Sequence, residues 1–178
     1  MPRLSPLTVP EVLALPCPYC GRRLPEGTAW LTRAAEQWQR CGVKVMSGET
    51  VVGVLAMAPG HPDGVAQIKM LWVRAEDSHT GLGRQLVQAA AAEAVRLRLS
   101  QIVAVGGRGQ RSCATPPEAF LKANGFAQAP GESLWRLDLG QSVLERSGLG
   151  RFSRFLRAWG HAGPEPAGGA VSGRAVRG

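Results

Sequence analysis

The stretch Met70-Leu-Trp-Val-Arg-Ala-Glu-Asp-Ser-His-Thr-Gly-Leu-Gly-Arg-Gln-Leu-Val87 constrains the fold more than any other part of the chain. An apolar strand passes through a short polar turn with two glycines into an amphipathic helix. Leu82, Leu86, Val87, Ala90, Ala94 and Leu97 recur at helical spacing and form a face that packs on a sheet. Such a strand, turn and helix make an anion cradle. Gly81 and Gly83 place no side chain where a phosphate approaches the main chain, and the free N–H groups at the helix start, aligned with its dipole, point at negative charge. Glycines also serve turns that need positive φ, so these two residues alone leave both readings open.

The flanking segments narrow the choice. Val43 to Met57 holds two β-type runs joined by Ser47-Gly48-Glu49, which predicts an antiparallel hairpin. Pro59-Gly-His-Pro-Asp-Gly64 is a tight polar connection expected to close a second hairpin. After the cradle helix come the apolar run Ile102–Val105, then Phe120-Leu-Lys-Ala-Asn-Gly-Phe126, then a last strand over Leu134–Leu139.

This order, from Val43 to Leu139, resembles the GCN5-related N-acetyltransferase (GNAT) superfamily. There a strand leads through Arg/Gln-x-x-Gly-x-Gly/Ala into a helix, and a Gly-Phe pair precedes the final strand. Ser78 to Gly83 lies on the phosphate motif and Gly125-Phe126 on the closing signal. The resemblance implies an α/β (α+β) fold with a mixed, mostly antiparallel central sheet flanked by helices. It implies acyl-CoA, in the simplest case acetyl-CoA, as cosubstrate, and an N-acyltransferase that moves the acyl group to an unidentified amine by direct attack on the thioester. By the same resemblance Leu71, Trp72, Val73, Ser78, His79, Thr80, Gly81, Leu82, Gly83 and Arg84 would bind the cosubstrate. Where the strand ending at Val73 splays from its neighbour, the Val73 N–H would stabilise the tetrahedral oxyanion.

The chain departs from the family in several places. The family's first strand is not evident, and residues 1–25 are expected to form an irregular arm. Ser78 replaces the usual Arg or Gln, leaving phosphate contacts to Arg84 or Arg108. Many members carry a tyrosine before the Gly-Phe signal; here that position is Leu121, after Phe120, and the chain's one tyrosine is Tyr19. A phenol at the usual place is thus excluded, and the leaving thiolate takes its proton through water, from His79 or Cys113, or not at all. For the base, Glu76, Asp77 and Glu132 are candidates without diagnostic spacing. A scaffold lacking proton donor and base could also serve as a non-catalytic CoA-binding or protein-interaction module.

Twenty-one Lys and Arg against thirteen Asp and Glu give a net charge of +8. That balance suits a polyanionic ligand, for which the CoA phosphates qualify. The chain is long enough for one cored domain, placed at 26–139, with appendages. Glu26 to Arg40 carries Trp30, Leu31, Ala34, Ala35 and Trp38 at helical spacing, predicting a helix on one sheet face. Over 140–160, Phe152, Phe155, Leu156 and Trp159 oppose Arg151, Arg154 and Arg157, as in a basic amphipathic helix that packs on its own domain or on a second copy in a homodimer, with an anionic lipid surface as the alternative. The Gly, Ala and Pro of 161–178 predict a disordered tail. The absence of a signal peptide or an apolar span predicts a cytoplasmic protein without a membrane segment.

Cys17-Pro-Tyr-Cys20-Gly21 reads as half of a zinc knuckle, and Cys41 and Cys113 would complete four thiolates if the N-terminal arm folds over the domain. A redox pair or unconnected thiols are the alternatives. Together with the net charge the cysteines also admit a zinc-linked nucleic-acid binder, although the chain carries no recognition motif for nucleic acid.

Overall fold

The structure, a computed structural model, describes residues 2–108 and 113–140. Its centre is a seven-stranded sheet of order β1-β2-β3-β4-β5-β7-β6. The strands are β1 (Arg3–Leu7), β2 (Gly42–Ser47), β3 (Thr50–Pro59), β4 (Val65–Val73), β5 (Gln101–Val105), β6 (Ala127–Gln128) and β7 (Leu134–Asp138). Every pairing is antiparallel except β4 with β5. Four helices join them: α1 (Val9–Ala14), α2 (Ala29–Trp38), α3 (Leu82–Arg96) and α4 (Glu118–Ala123). The α/β class with a mostly antiparallel sheet is therefore observed. The segments expected at 141–160 and 161–178 lie outside the described residues.

Alternation along the strands separates two cores. On one face Val43, Val45, Leu55, Met57 and Leu71 pack with Leu82, Leu86, Val87 and Ala90 of α3. On the other, Val54, Ala56, Met70 and Trp72 pack with Val12 of α1 and with Leu31 and Ala34 of α2. A sheet covered on both sides needs long apolar runs in its middle strands, and β3 from Val52 to Ala58 is buried without a break. Gly42 opens β2 with φ +147, and a Cβ there would collide with the Leu55 carbonyl and lie 2.9 Å from Ala56 Cα. Its missing side chain lets β2 approach β3 closely.

The N-terminal region corrects the expectation of an irregular arm. β1 adds to the free edge of β2, with Arg3 opposite Met46 and Leu7 opposite Gly42. The helix α1 follows at once, started by a capping box in which Thr8 N–H and Oγ1 each donate to Glu11 at 2.9 Å. The family's first strand is present after all. Pro6 is compatible with it because β1 lies at the sheet edge, where one N–H of each pair faces away from the ladder.

One break in the sheet positions the site. β4 pairs with β5 only from Val65 to Gln67, opposite Gln101 to Val103, and then continues to Val73 paired with β3 alone. Beyond Gln67 the two parallel strands diverge, and the far edge of β4 is no longer paired with β5.

Candidate active site

The open edge of β4 is the wall of a cleft of about 580 Å3. Leu71, Trp72 and Val73 form that wall; Asp77, Ser78 and His79 of the following turn, with Gly81, Gly83 and Arg84 of the α3 start, form a second side. Pro116, Pro117, Phe120, Ala123 and Asn124 close it from α4, and Tyr19 enters from the N-terminal arm. Alternation of the ladder decides which main-chain groups of β4 reach the cleft. Val73 lies opposite Gly53, and the Arg74 N–H donates to the Val52 carbonyl at 2.9 Å. Val73 therefore belongs to a non-hydrogen-bonded pair, and its own N–H and C=O point away from β3 toward the divergence.

At the head of α3 the chain bends through two left-handed residues, His79 with φ 62 and Gly81 with φ 88. Gly81 caps the helix, its carbonyl accepting from the Gln85 N–H at 3.1 Å, so the N–H groups of the first turn have no intrahelical acceptor. These groups, the helix dipole and the Arg84 guanidinium meet on the cleft and are suited to phosphate. For a non-glycine residue such as His79 the left-handed conformation costs roughly 1–2 kcal/mol. Gly83 has a different reason from the one its spacing suggests: a Cβ there would stand 2.9 Å from the Phe120 ring, so this glycine lets α3 pack against α4.

Most of the residues expected at the site are brought together, and some are not. Leu71, Trp72, Val73, Ser78, His79, Gly81, Gly83 and Arg84 line the cleft. Thr80 instead closes the turn through its hydroxyl, which donates to the Asp77 carbonyl at 2.6 Å, and Leu82 is buried in the core. Neither belongs to the cleft lining. The Arg108 Nε–H is shared between the two Glu118 carboxylate oxygens at 3.0 and 3.2 Å, whereas Arg84 lines the cleft at the helix start. Among the carboxylates Asp77 lines the cleft, whereas Glu76 is exposed and paired with Arg74, and Glu132 is tied to Arg136 at 2.8 Å. Leu121 is fully buried in the core; the aromatic ring that α4 presents to the cleft is Phe120, which has no proton to give.

The phenol beside the cleft is Tyr19. Its hydroxyl donates to the Val73 carbonyl at 2.6 Å across 54 residues of sequence. No sequence spacing links this phenol to the site, because only the crossing of the arm over β4 brings it there.

The same crossing gathers three of the four cysteines. The sulfur atoms of Cys17, Cys20 and Cys113 lie within 4.8 Å of one another. A backbone N–H from Arg22 and the Cys17 thiol hold the Cys20 thiol below its ordinary range, while burial, then hydrogen bonding and charge from its two neighbours, push Cys113 up to about 12. Cys41 does not join them, which corrects the four-thiolate set. It is fully buried beneath α1, its Sγ donating to the Leu7 carbonyl at 3.4 Å, and burial followed by the Glu11 charge pushes it up to about 12.

A mostly antiparallel sheet opens between two parallel strands, with a helix start beside the opening, which is the mixed α/β architecture of an acetyltransferase. A family model for the Acetyltransferase (GNAT) family matches residues 10–115, more than half of the chain, and the chain belongs to that family. By class it is accordingly an acetyltransferase.

Solved structures agree on the fold. The ribosomal-protein-S18-alanine N-acetyltransferase from Escherichia coli is similar with a TM-score of 0.56 and 15% identity over 78% of this chain and 94% of that one. A GNAT acetyltransferase from Staphylococcus aureus Mu50 gives 0.57 and 10% over 78% and 99%. A GNAT N-acetyltransferase from Escherichia coli in complex with CoA gives 0.52 and 20% over 82% and 84%. No curated protein sequence matches the chain. Among the described residues no helix is long and apolar enough to cross a membrane.

Proposed function

We propose that the chain transfers an acetyl group from acetyl-CoA to an amine by direct attack, with Tyr19 as the proton donor to the departing thiolate. The observation that carries this reading is the Tyr19 hydroxyl held 2.6 Å from the Val73 carbonyl, on the wall of the cleft and at the open edge of β4. The amine nitrogen attacks the thioester carbonyl carbon, and the negative charge that develops on its oxygen is met by the Val73 N–H, which β3 does not use. Collapse breaks the carbon–sulfur bond, and the sulfur takes the phenolic proton. The amine must arrive neutral, and Asp77 is the carboxylate placed to receive its proton directly or through water. The head of α3 and Arg84 hold the phosphates, with His79 contributing main chain. Several features support the reading together: the cleft's size, its strand edge with free main-chain groups, and its cationic helix start.

The test is thiol release from acetyl-CoA over a panel of small amines and peptide N-termini. Turnover with at least one acceptor is expected, and Asp77→Asn should reduce it with every acceptor while Glu132→Gln leaves it unchanged. Heat-measured acetyl-CoA binding without turnover on any acceptor would replace catalysis with a CoA-binding module.

A further inference from the structure

We propose that Cys17, Cys20 and Cys113 form a three-thiolate site for one Zn2+ ion, and that the metal ties the arm bearing Tyr19 and the loop bearing Cys113 to the open edge of β4. The sulfur atoms lie within 4.8 Å of one another. Zinc with Zn–S bonds of about 2.3 Å in tetrahedral geometry sets sulfurs about 3.8 Å apart, so ligation needs a closure of about 1 Å or less.

The backbone around the close-spaced pair has the form of a metal knuckle. The Cys17 N–H donates to the Arg22 carbonyl at 2.8 Å and the Gly21 N–H to the Cys17 carbonyl at 2.8 Å, folding the segment into a tight loop with Gly21 at φ 67. Within that loop the Tyr19 N–H donates to Cys17 Sγ at 3.4 Å. A main-chain donor aimed at sulfur orients it, as in the outer shell of a metal site.

The site also has a route in and a balanced charge. Cys17 is buried, Cys113 half-buried and Cys20 exposed, so the ion enters from the Cys20 side and water completes the fourth position. Binding displaces one proton from each thiol, three protons for one Zn2+, and leaves a centre of net charge −1 beside the Arg22 guanidinium.

Consequences for the neighbouring cleft follow from what each ligand segment touches. The Cys113 carbonyl accepts from the Leu71 N–H at 2.7 Å, and Tyr19, between Cys17 and Cys20, donates to the Val73 carbonyl at 2.6 Å. Leu71 and Val73 are alternate residues on the same edge of β4, the edge that β5 abandons. One ion would therefore hold both segments that replace β5 along this edge. Scattered in sequence at 17, 20 and 113, the ligands are brought together only by folding, so binding adds to stability.

The full-length protein, purified under reducing conditions without added chelator, should contain about one zinc per chain, as a single three-thiolate site requires. Chelation should lower its melting temperature and speed hydrogen exchange at Tyr19 to Arg22. Co2+ added to the stripped, reduced chain should produce a near-ultraviolet thiolate-to-metal charge-transfer band. Cys17→Ser and Cys113→Ser should each lose that band and the zinc, while Cys41→Ser keeps both. No metal at purification together with no band on Co2+ titration of the wild-type chain would overturn the proposal. So would a chain whose free thiols fall by two through a disulfide within the cluster while it holds no metal, or a Cys41→Ser variant that folds but loses the band. None of these measurements uses acyl-CoA, so their failure is separate from failure of the acetyl-transfer reading.

Discussion

The Tyr19 hydroxyl donates to the Val73 carbonyl at 2.6 Å, joining the N-terminal arm to the last residue of β4. The contact is side chain to main chain, so the two residues differ in what a substitution removes. Tyr19→Phe deletes the proton and should lower kcat about 100-fold, the low end for general acid catalysis, with KM for acetyl-CoA within about twofold. Val73→Ala keeps the carbonyl and N–H and should keep most of the activity. Equal losses in both variants would mean that packing at this point, not proton delivery, sets the rate.

The cradle gives a second contrast. His79 lines the turn in a left-handed conformation and is exposed, so its main chain and not its ring serves the phosphates. His79→Gly relieves the left-handed cost of about 1–2 kcal/mol, offset by about 0.5–1 kcal/mol of glycine entropy, and should leave acetyl-CoA affinity and stability nearly unchanged. Gly83→Glu should abolish binding, because it drives a carboxylate into the cradle and displaces the Phe120 ring. Calorimetric titration with acetyl-CoA checks both; a large loss in His79→Gly would assign the ring a role.

Gly42→Ala tests the close approach of β2 and β3. The new methyl meets the backbone of Leu55 and Ala56, which cannot swing aside as a side chain can. With the added strain at φ +147, a loss of about 3 kcal/mol or more is expected as a lower urea midpoint. Gly48→Ala, at a turn with open space around it, should cost much less.

Glu11 gives the arm a pH dependence. Burial pulls its carboxyl up, but hydrogen bonds from Lys44 and from Thr8, with the Lys44 charge, bring it below the ordinary value of 4.5. A carboxyl lowered on folding stabilises the fold fully above its unfolded pKa and loses that contribution as pH falls through the folded one. The capping of α1 and its tie to β2 should therefore hold above about pH 4.5 and weaken on further acidification. Glu11→Gln should be less stable than wild type near neutrality and converge with it in acid. Parallel stability curves for the two proteins from about pH 6 to about pH 3 would refute this linkage.

The central domain was legible in the sequence because its signals are local. Ser47-Gly48-Glu49 and the alternation beside it specify the β2–β3 hairpin, and the 3.6-residue spacing from Leu82 to Ala94 specifies α3. Glycines before a periodic helix likewise announced the turn and helix start that line the cleft, although the packing of Gly83 on Phe120 could not be read from spacing. The N-terminal segment was misread for the opposite reason. Pro6 and Pro10 argue against regular structure locally, yet β1 exists because β2 offers an unpaired edge, and α1 because the Thr8–Glu11 box caps it and Val12 finds a core to enter. The site depends on the same long-range step. Residue chemistry marked Tyr19 as a phenol and Cys17, Cys20, Cys41 and Cys113 as thiols; only the crossing of the arm over β4 set Tyr19 on Val73, gathered three thiols and left Cys41 in the core, because separations of tens of residues are closed by tertiary packing and leave no periodic trace in the chain.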